Sequence, residues 1–286
     1  MNQTKLSWKH LALKGLPIAV LLAVLIACSI VLYGIGAEIY TAIQPEPAPV
    51  QPVLPENIYG PEDFSYQDGS MVCLSGEYRL GIDVNEWNGS VDWAAVKASG
   101  VEFVFIRLGG RGWGEAGTLY ADGMAQSYYR GAKEQGLKIG AYFFSQAISP
   151  EEAREEALYS LELAEGWELD LPVVFDWEYV SETARTANID RRLLTDCTKA
   201  FCDVIENAGH TPMIYSNPSQ TYNLLHLDEL LDYPFWLAMY DSAMDFPYPF
   251  HIWQYSGSGQ VSGISGPVDL NIMVPDQKTG LFLGGE

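Results

Sequence analysis

Residues 171–178 read LPVVFDWE, Leu171 to Glu178, and this stretch decides the fold. Its apolar run from Leu171 to Phe175 has the length and residue types of a strand buried on both faces. Two carboxylates then arrive two positions apart, Asp176 and Glu178, with Trp177 between them. Side chains two apart on a strand share a face. Both acids therefore project the same way at the strand's carboxyl end, and Trp177 turns toward whatever covers the other side.

Apolar runs of the same kind recur at 81–84, 101–109, 137–145, 211–216, 234–240, 251–256 and 268–273. Between the earlier ones lie amphipathic segments at 91–100, 120–136, 149–166 and 191–209, each reaching a glycine at its end. The third opens with Ser149 in the capping position, Pro150 in the first turn and acids behind it. Strand and helix alternating at this rhythm predict parallel β/α units. Eight strand candidates in roughly 200 residues favour a closed barrel over an open doubly wound sheet. The helical punctuation thins after Asn217, so the expected fold is an irregular, TIM-like (β/α) barrel of the α/β class.

Chemistry in such barrels sits at the carboxyl ends of the strands. Asp83 closes the first strand, and Asp269 lies at one end of the last. Tyr142 and Ser145 close the third; Tyr240 and Asp241 follow the sixth; Gln254 and Tyr255 follow the seventh. Acids from several strands then converge on one cleft. Crowded carboxylates raise one another's pKa, so one becomes a proton donor while a neighbour stays ionised. A general acid beside an ionised carboxylate is the equipment for splitting a glycosidic bond. An Asp-x-Glu spacing alone also fits a solvated strand end or a cation site; the apolar run and the companion acids favour the cleft.

Composition narrows the class. The 286 residues are 48 % hydrophobic, enough for a packed core, and include 8 Trp and 17 Tyr. The net charge is −21, and the first 37 residues hold three lysines and no acid, leaving 13 basic against 37 acidic residues beyond them. Such a surface repels phosphate, so no nucleic-acid partner is expected. The cysteines, Cys28, Cys73, Cys197 and Cys202, and the four scattered histidines show no metal-ligand spacing, so neither a metal nor another cofactor is implied. A bridge from Cys73 to Cys197 or Cys202 and buried free thiols both fit. Ser145 and Ser216 lack a nucleophile-elbow setting. The Gly-rich stretch after the second strand lacks the Lys-Ser/Thr of a phosphate cradle and reads as a cleft loop, with Arg107, Arg111 and Trp113 available to a ligand. Trp87, Trp113 and Trp253 fit sugar stacking or core packing equally.

Gly15 to Ala37 is uncharged for 23 residues. As a helix it spans roughly 34 Å, enough for a bilayer core. Lys5, Lys9 and Lys14 precede it and acids follow, so the N-terminus is expected in the cytoplasm and the bulk outside. The alternatives are a lipoprotein processed at Cys28, where Leu25–Cys28 reads LIAC, and simple secretion. Prolines at 45, 47, 49, 52, 55 and 61 make the next stretch an extended spacer. The expected organisation is a cytoplasmic segment at 1–14, a transmembrane anchor at 15–37, a linker at 38–78 and the barrel at 79–286.

In order along the chain, GIDVNEWNGSVDW, FVFIRLGGRGW, GLKIGAYFFS, LPVVFDWE, PFWLAMY, IWQYSGSG and VDLNIM resemble the landmarks of glycoside hydrolase family 25, the N-acetylmuramidase lysozymes. The resemblance covers about Leu80 to Met273. It implies an irregular β/α barrel that cleaves the β-1,4 bond between N-acetylmuramic acid and N-acetylglucosamine in peptidoglycan. It further implies Glu178 as general acid and Asp176 as the carboxylate that orients the substrate's 2-acetamido group, with retention by substrate assistance favoured. Asp83 and Asp269 match the family's other two site acids, and Tyr142, Trp236, Tyr240, Gln254 and Asn271 fall on cleft positions. Departures are Asn85 and Glu86 after the first acid, Phe143 where a His is common, and Trp177 between the acids. A chitinase-like hydrolase is the rival enzyme, disfavoured because Val174 and Phe175 stand where it would carry further acids. A wall-binding scaffold without turnover is the rival of another class, disfavoured by the four acids.

Overall fold

The computed structural model describes residues 20, 22–35, 54–240 and 243–284. The chain divides into two compact units, Met1–Pro52 and Val53–Glu286. In the first, residues 22–35 are helical. Among the described residues no helix is long and apolar enough to cross a membrane. Most flanking positions of the expected 15–37 anchor, the 1–14 segment and the linker before residue 54 lie outside the described residues.

The second unit carries a short hairpin, β1 (Phe64–Gln67) and β2 (Ser70–Cys73), and then β3 (Arg79–Val84), β4 (Phe103–Arg111) and β5 (Leu119–Ala121). There follow β6 (Lys138–Ser145), β7 (Val173–Trp177), β8 (Pro212–Ser216), β9 (Phe235–Ala238), β10 (Ile252–Gly259) and β11 (Val268–Met273). Among the described residues, the strands β3-β4-β6-β7-β8-β9-β10-β11 close on themselves through β11–β3 pairing, giving an eight-stranded barrel. The helices are α1 (Trp93–Ala98), α2 (Ala125–Glu134), α3 (Pro150–Leu163), α4 (Arg191–Asn207) and α5 (Pro218–Leu224). Ser149 caps α3, its hydroxyl accepting from the Glu152 amide at 3.2 Å, and Asp190 caps α4 through the Leu193 amide at 2.8 Å.

The structure departs from uniform β/α repetition in three places. The last strand, β11, runs antiparallel to both β10 and β3, whereas the other barrel pairings are parallel. An antiparallel neighbour needs only a short loop, so the final crossover requires no helix. Tyr120 and Ala121, read from sequence as the start of the helix at 120–136, instead join Leu119 in pairing with the end of β4, and the helix begins at Ala125. Finally, residues 54–78 are packed onto the barrel rather than standing off it as spacer. Asn57 is tied to the carbonyls of Tyr59 and Phe246 and to Gln277. Tyr59 and Phe64 join the rings of Phe250 and Trp253. Pro55 and Pro61 keep the segment before the hairpin out of α-helix and central strand, but they do not prevent aromatic side chains from finding an apolar surface. Cys73, Cys197 and Cys202 are buried free thiols.

Alternation on the strands sorts the core into two layers. Phe103, Phe105, Val174, Met213, Trp236, Ile252 and Met273 fill the barrel, whereas Val104, Ile106, Phe175 and Trp177 pack outward in one cluster with Leu194 and Phe201 of α4. Glycine makes room for the large interior rings. Gly81 stands in register with Phe103, and Gly140 with Phe105. A methyl group on Gly140 would lie 2.3 Å from the Phe105 ring. At the far end Phe282 plugs the interior under the Arg79 guanidinium, 4.3 Å from its ring centroid. We expect Gly140→Ala to destabilise the barrel by about 1–3 kcal/mol. Urea unfolding checks this, and pairing the change with Phe105→Leu should recover most of the loss.

Candidate active site

The inward-facing side chains nearest the carboxyl rim line a single open cleft of about 230 Å³. It is bounded by Asp83 and Asn85 after β3, Arg107 on β4, Tyr142 and Phe144 on β6, and Asp176 and Glu178 from β7. Tyr215 on β8, Trp236 and Tyr240 from β9, Gln254 on β10 and Asp269 on β11 complete the ring. The four acids singled out from sequence therefore meet. Asp269 gets there because β11 is reversed: it begins its strand, yet stands in register with Asp83 near the end of β3.

Asp83 is the most firmly held. Its Oδ2 accepts from the amides of Gln254 and Asn271, each at 2.8 Å. Those amides are themselves oriented. Gln254 Oε1 accepts from the Tyr215 hydroxyl at 2.8 Å and from the Tyr240 hydroxyl. Asn271 Oδ1 accepts from the Trp236 indole at 2.8 Å. Burial, and then the charge of Asp269, push Asp83 well above the ordinary carboxylate range, although the two amide donors pull the other way. Asp269 is pushed up to about 6 by burial.

Asp176 is buried, and its Oδ1 has no hydrogen-bond partner among the described residues. Burial, then the charges of Glu178 and Asp83, raise it well above its ordinary value, while Arg107 opposes them. Arg107 is held by buried Asp122, with Nε to Oδ2 at 2.8 Å, and by Glu86 at 3.1 Å. Glu178 lies one residue past β7. Its pKa is raised by burial first and by Asp269 second, with no hydrogen bond opposing the shift. The backbone around it is pinned by side-chain amides. Gln146 donates to the Glu178 carbonyl at 2.9 Å, and Gln220 to the Trp177 carbonyl at 2.7 Å.

Of the residues expected at the site, Glu178, Asp176, Asp83, Asp269, Tyr142, Trp236, Tyr240 and Gln254 line the cleft. Asn271 does not; it is wholly buried beneath Asp83 and acts through it. Arg111 is not available to a ligand, because Glu156 and Glu155 of α3 each hold it at 2.7 Å. Trp253 is buried in the outer core, its indole donating to the Met239 carbonyl at 2.8 Å. Tyr215 was missed, and Arg107, within the expected strand 101–109, was named only as one of three candidate contacts about the Gly-rich loop. Both continue the inward-facing alternation of their strands, after Phe103 and Phe105 in β4 and after Met213 in β8, so the two-residue repeat that singled out Asp176 and Glu178 would have found them.

The raised acids have a cost with a definite sign. A carboxyl whose folded pKa is raised stabilises the fold below its unfolded value, and that contribution is lost as pH rises through the folded value. We expect Asp269→Asn to match the parent protein at pH 4 and to exceed its stability by about 1–3 kcal/mol at pH 7.5. Thermal melts at the two pH values test this; equal stability at both would contradict it.

Comparison with known proteins places this site. The autolytic lysozyme of Clostridium acetobutylicum is 33 % identical over 210 residues, which cover 72 % of this chain and 57 % of that protein. The structure of a bacterial lysozyme from Streptomyces coelicolor aligns with a TM-score of 0.62 at 27 % identity, over 72 % of this chain and 96 % of that one. The modular autolysin LytC of Streptococcus pneumoniae, solved with a synthetic peptidoglycan ligand, aligns with a TM-score of 0.63 at 25 % identity, over 73 % of this chain and 51 % of that one. The present chain thus spans between half and three-fifths of the autolytic lysozyme and of the modular autolysin. Residues 82–264 match the sequence profile described as Glycosyl hydrolases family 25, and the chain belongs to that family.

Proposed function

We propose that this chain is a muramidase that cleaves the β-1,4 bond between N-acetylmuramic acid and N-acetylglucosamine in peptidoglycan. The observation that carries the reading is the contrast between two neighbouring acids. Glu178 is raised without an opposing hydrogen bond, and buried Asp176 keeps an acceptor oxygen unpartnered. A protonated Glu178 delivers its proton to the glycosidic oxygen as the bond breaks. The free Asp176 oxygen suits the N–H of a 2-acetamido group, and that hydrogen bond would turn the acetamido carbonyl toward the anomeric carbon. An acetamido donor also relieves the penalty of a buried unpaired acceptor. Asp83, Asp269 and the tyrosines shape the pocket and set the local potential. The relatives named lysozyme and autolysin support the same substrate class.

We further infer that residues 15–37 anchor the chain in a membrane, with residues 1–14 in the cytoplasm and the barrel outside. The support is the uncharged run and the lysines before it. A lipid attached at Cys28 is the alternative. Carbonate-resistant membrane association that survives Cys28→Ala favours the helical anchor; its loss favours the lipid.

The activity reading is tested on purified peptidoglycan by counting new reducing ends at muramic acid. Glu178→Gln should lower kcat by about 10²–10⁴-fold with no fall in melting temperature at neutral pH. The profile of kcat/KM against pH should be bell-shaped, because the coupled pair of Asp176 and Glu178 must hold one proton between them: gain of a second proton sets the acid limb and loss of the first sets the basic limb. Because Asp269 contributes to the upward shift of Glu178, Asp269→Asn should move the basic limb to lower pH. An unmoved basic limb would separate that limb from Glu178.

A further inference from the structure

Trp87 is 83 % exposed, although it lies beside the cleft rather than on a remote surface. It sits in the single turn Glu86–Asn88, which follows β3 directly after the cleft-lining residues Asp83 and Asn85. An indole left in water forgoes the burial that a Trp ordinarily gains. Trp93, six residues on, shows the ordinary outcome: it is buried with its ring 5.8 Å from that of Tyr128.

The exposure of Trp87 does not come from a loose loop. Asn85 Oδ1 accepts from the Trp87 amide at 3.0 Å, and Asn88 Oδ1 accepts from the Asn85 amide at 2.8 Å. Asn88 donates across to the Pro267 carbonyl at 3.2 Å. The Glu86 amide donates to buried Asp122 at 2.9 Å, the same carboxylate that holds Arg107 in the cleft wall. The Tyr128 hydroxyl donates to the Gly89 carbonyl at 2.6 Å. A turn fastened from three sides thus presents a bare aromatic face at a fixed place on the rim.

We propose that Trp87 is the stacking platform of an outer carbohydrate subsite, which takes a further hexosamine ring of the glycan strand on the β3 side of the cleft. This rests on the glycan-cleaving reading and extends it to how far the bound chain reaches. The chemistry fits the strand's uncharged N-acetylglucosamine ring rather than its carboxylate-bearing muramic acid. The C–H face of a pyranose suits an aromatic face, and the neighbouring acids disfavour a carboxylate placed beside them. Pre-ordering the platform also removes the cost of immobilising it on binding.

The experiment uses soluble, uncross-linked glycan strands of two lengths, a tetrasaccharide and an octasaccharide. Trp87→Ala should raise KM for the octasaccharide about tenfold, equivalent to about 1.4 kcal/mol. The rise for the tetrasaccharide should be smaller than about twofold. Trp87→Phe should recover most of the loss. Equal KM values for Trp87→Ala and the parent on both substrates would overturn the subsite. So would an equal rise from Trp113→Ala, also an exposed aromatic (52 %), because that marks general aromatic adhesion. Octasaccharide binding to Glu178→Gln, read by tryptophan fluorescence, tests the platform separately from turnover. Binding that Trp87→Ala weakens supports the subsite even if the parent cuts neither substrate, an outcome that would sink the muramidase reading alone. Binding that the change leaves intact overturns the subsite.

Discussion

Four carboxyls crowded into one barrel mouth cannot all ionise there, and the rest of the site is organised around that constraint. The protein answers it unevenly. Two polar chains in the cleft run toward Asp83: from the two tyrosines through Gln254 on one side, and from Trp236 through Asn271 on the other. No such chain reaches Oδ1 of Asp176, which depends on the Arg107 cation to oppose its neighbours. One acid is satisfied by the protein, and another keeps an oxygen without a partner among the described residues, which the proposed substrate would satisfy. That inequality is what separates a pocket able to do chemistry from a cluster that merely shares protons.

The direction of a single strand makes the cluster possible. In β11 the inward positions are Asp269, Asn271 and Met273, from rim to floor, while Val268, Leu270 and Ile272 pack outward. Run parallel to its neighbours, the same sequence would place Met273 at the rim and bury Asp269 among Phe103 and Phe282. Reversal puts the acid beside Asp83 and the methionine into the apolar plug. The polarity gradient along six residues therefore agrees with only one strand direction.

Most of this was legible in the sequence because it depends on local periodicity. Short runs rich in apolar residues marked all eight barrel strands, and the two-residue repeat identified which acids share a face. What escaped depends on partners distant in the chain. Strands β1, β2 and β5 are three or four residues long and owe their form to pairing, which no local pattern records. The linker expected at 38–78 rests on the prolines at 45–61; the aromatic side chains of residues 54–78 find a surface that exists only after the barrel has closed. Arg107 and Arg111 look alike in FIRLGGR. Four positions apart, they face the same side of regular strand, but the register shift between Arg107 and Gly109 lies between them. One enters the cleft and the other is taken up by the acids of α3.

Holding repelling groups together requires a frame stiffer than their repulsion, and Trp236 is where that stiffness enters. Its ring lies 4.7 Å from Phe105 in the barrel interior and 6.3 Å from Tyr142 at the rim, while its indole nitrogen orients Asn271 beneath Asp83. Phe105 is in turn seated against Gly140, with no room for a methyl group. The acid geometry is thus referred downward, through one aromatic residue, to a close-packed core rather than outward to loops. Loops could change around such a site and alter which ligand is gripped, while the spacing of the acids stayed with the core.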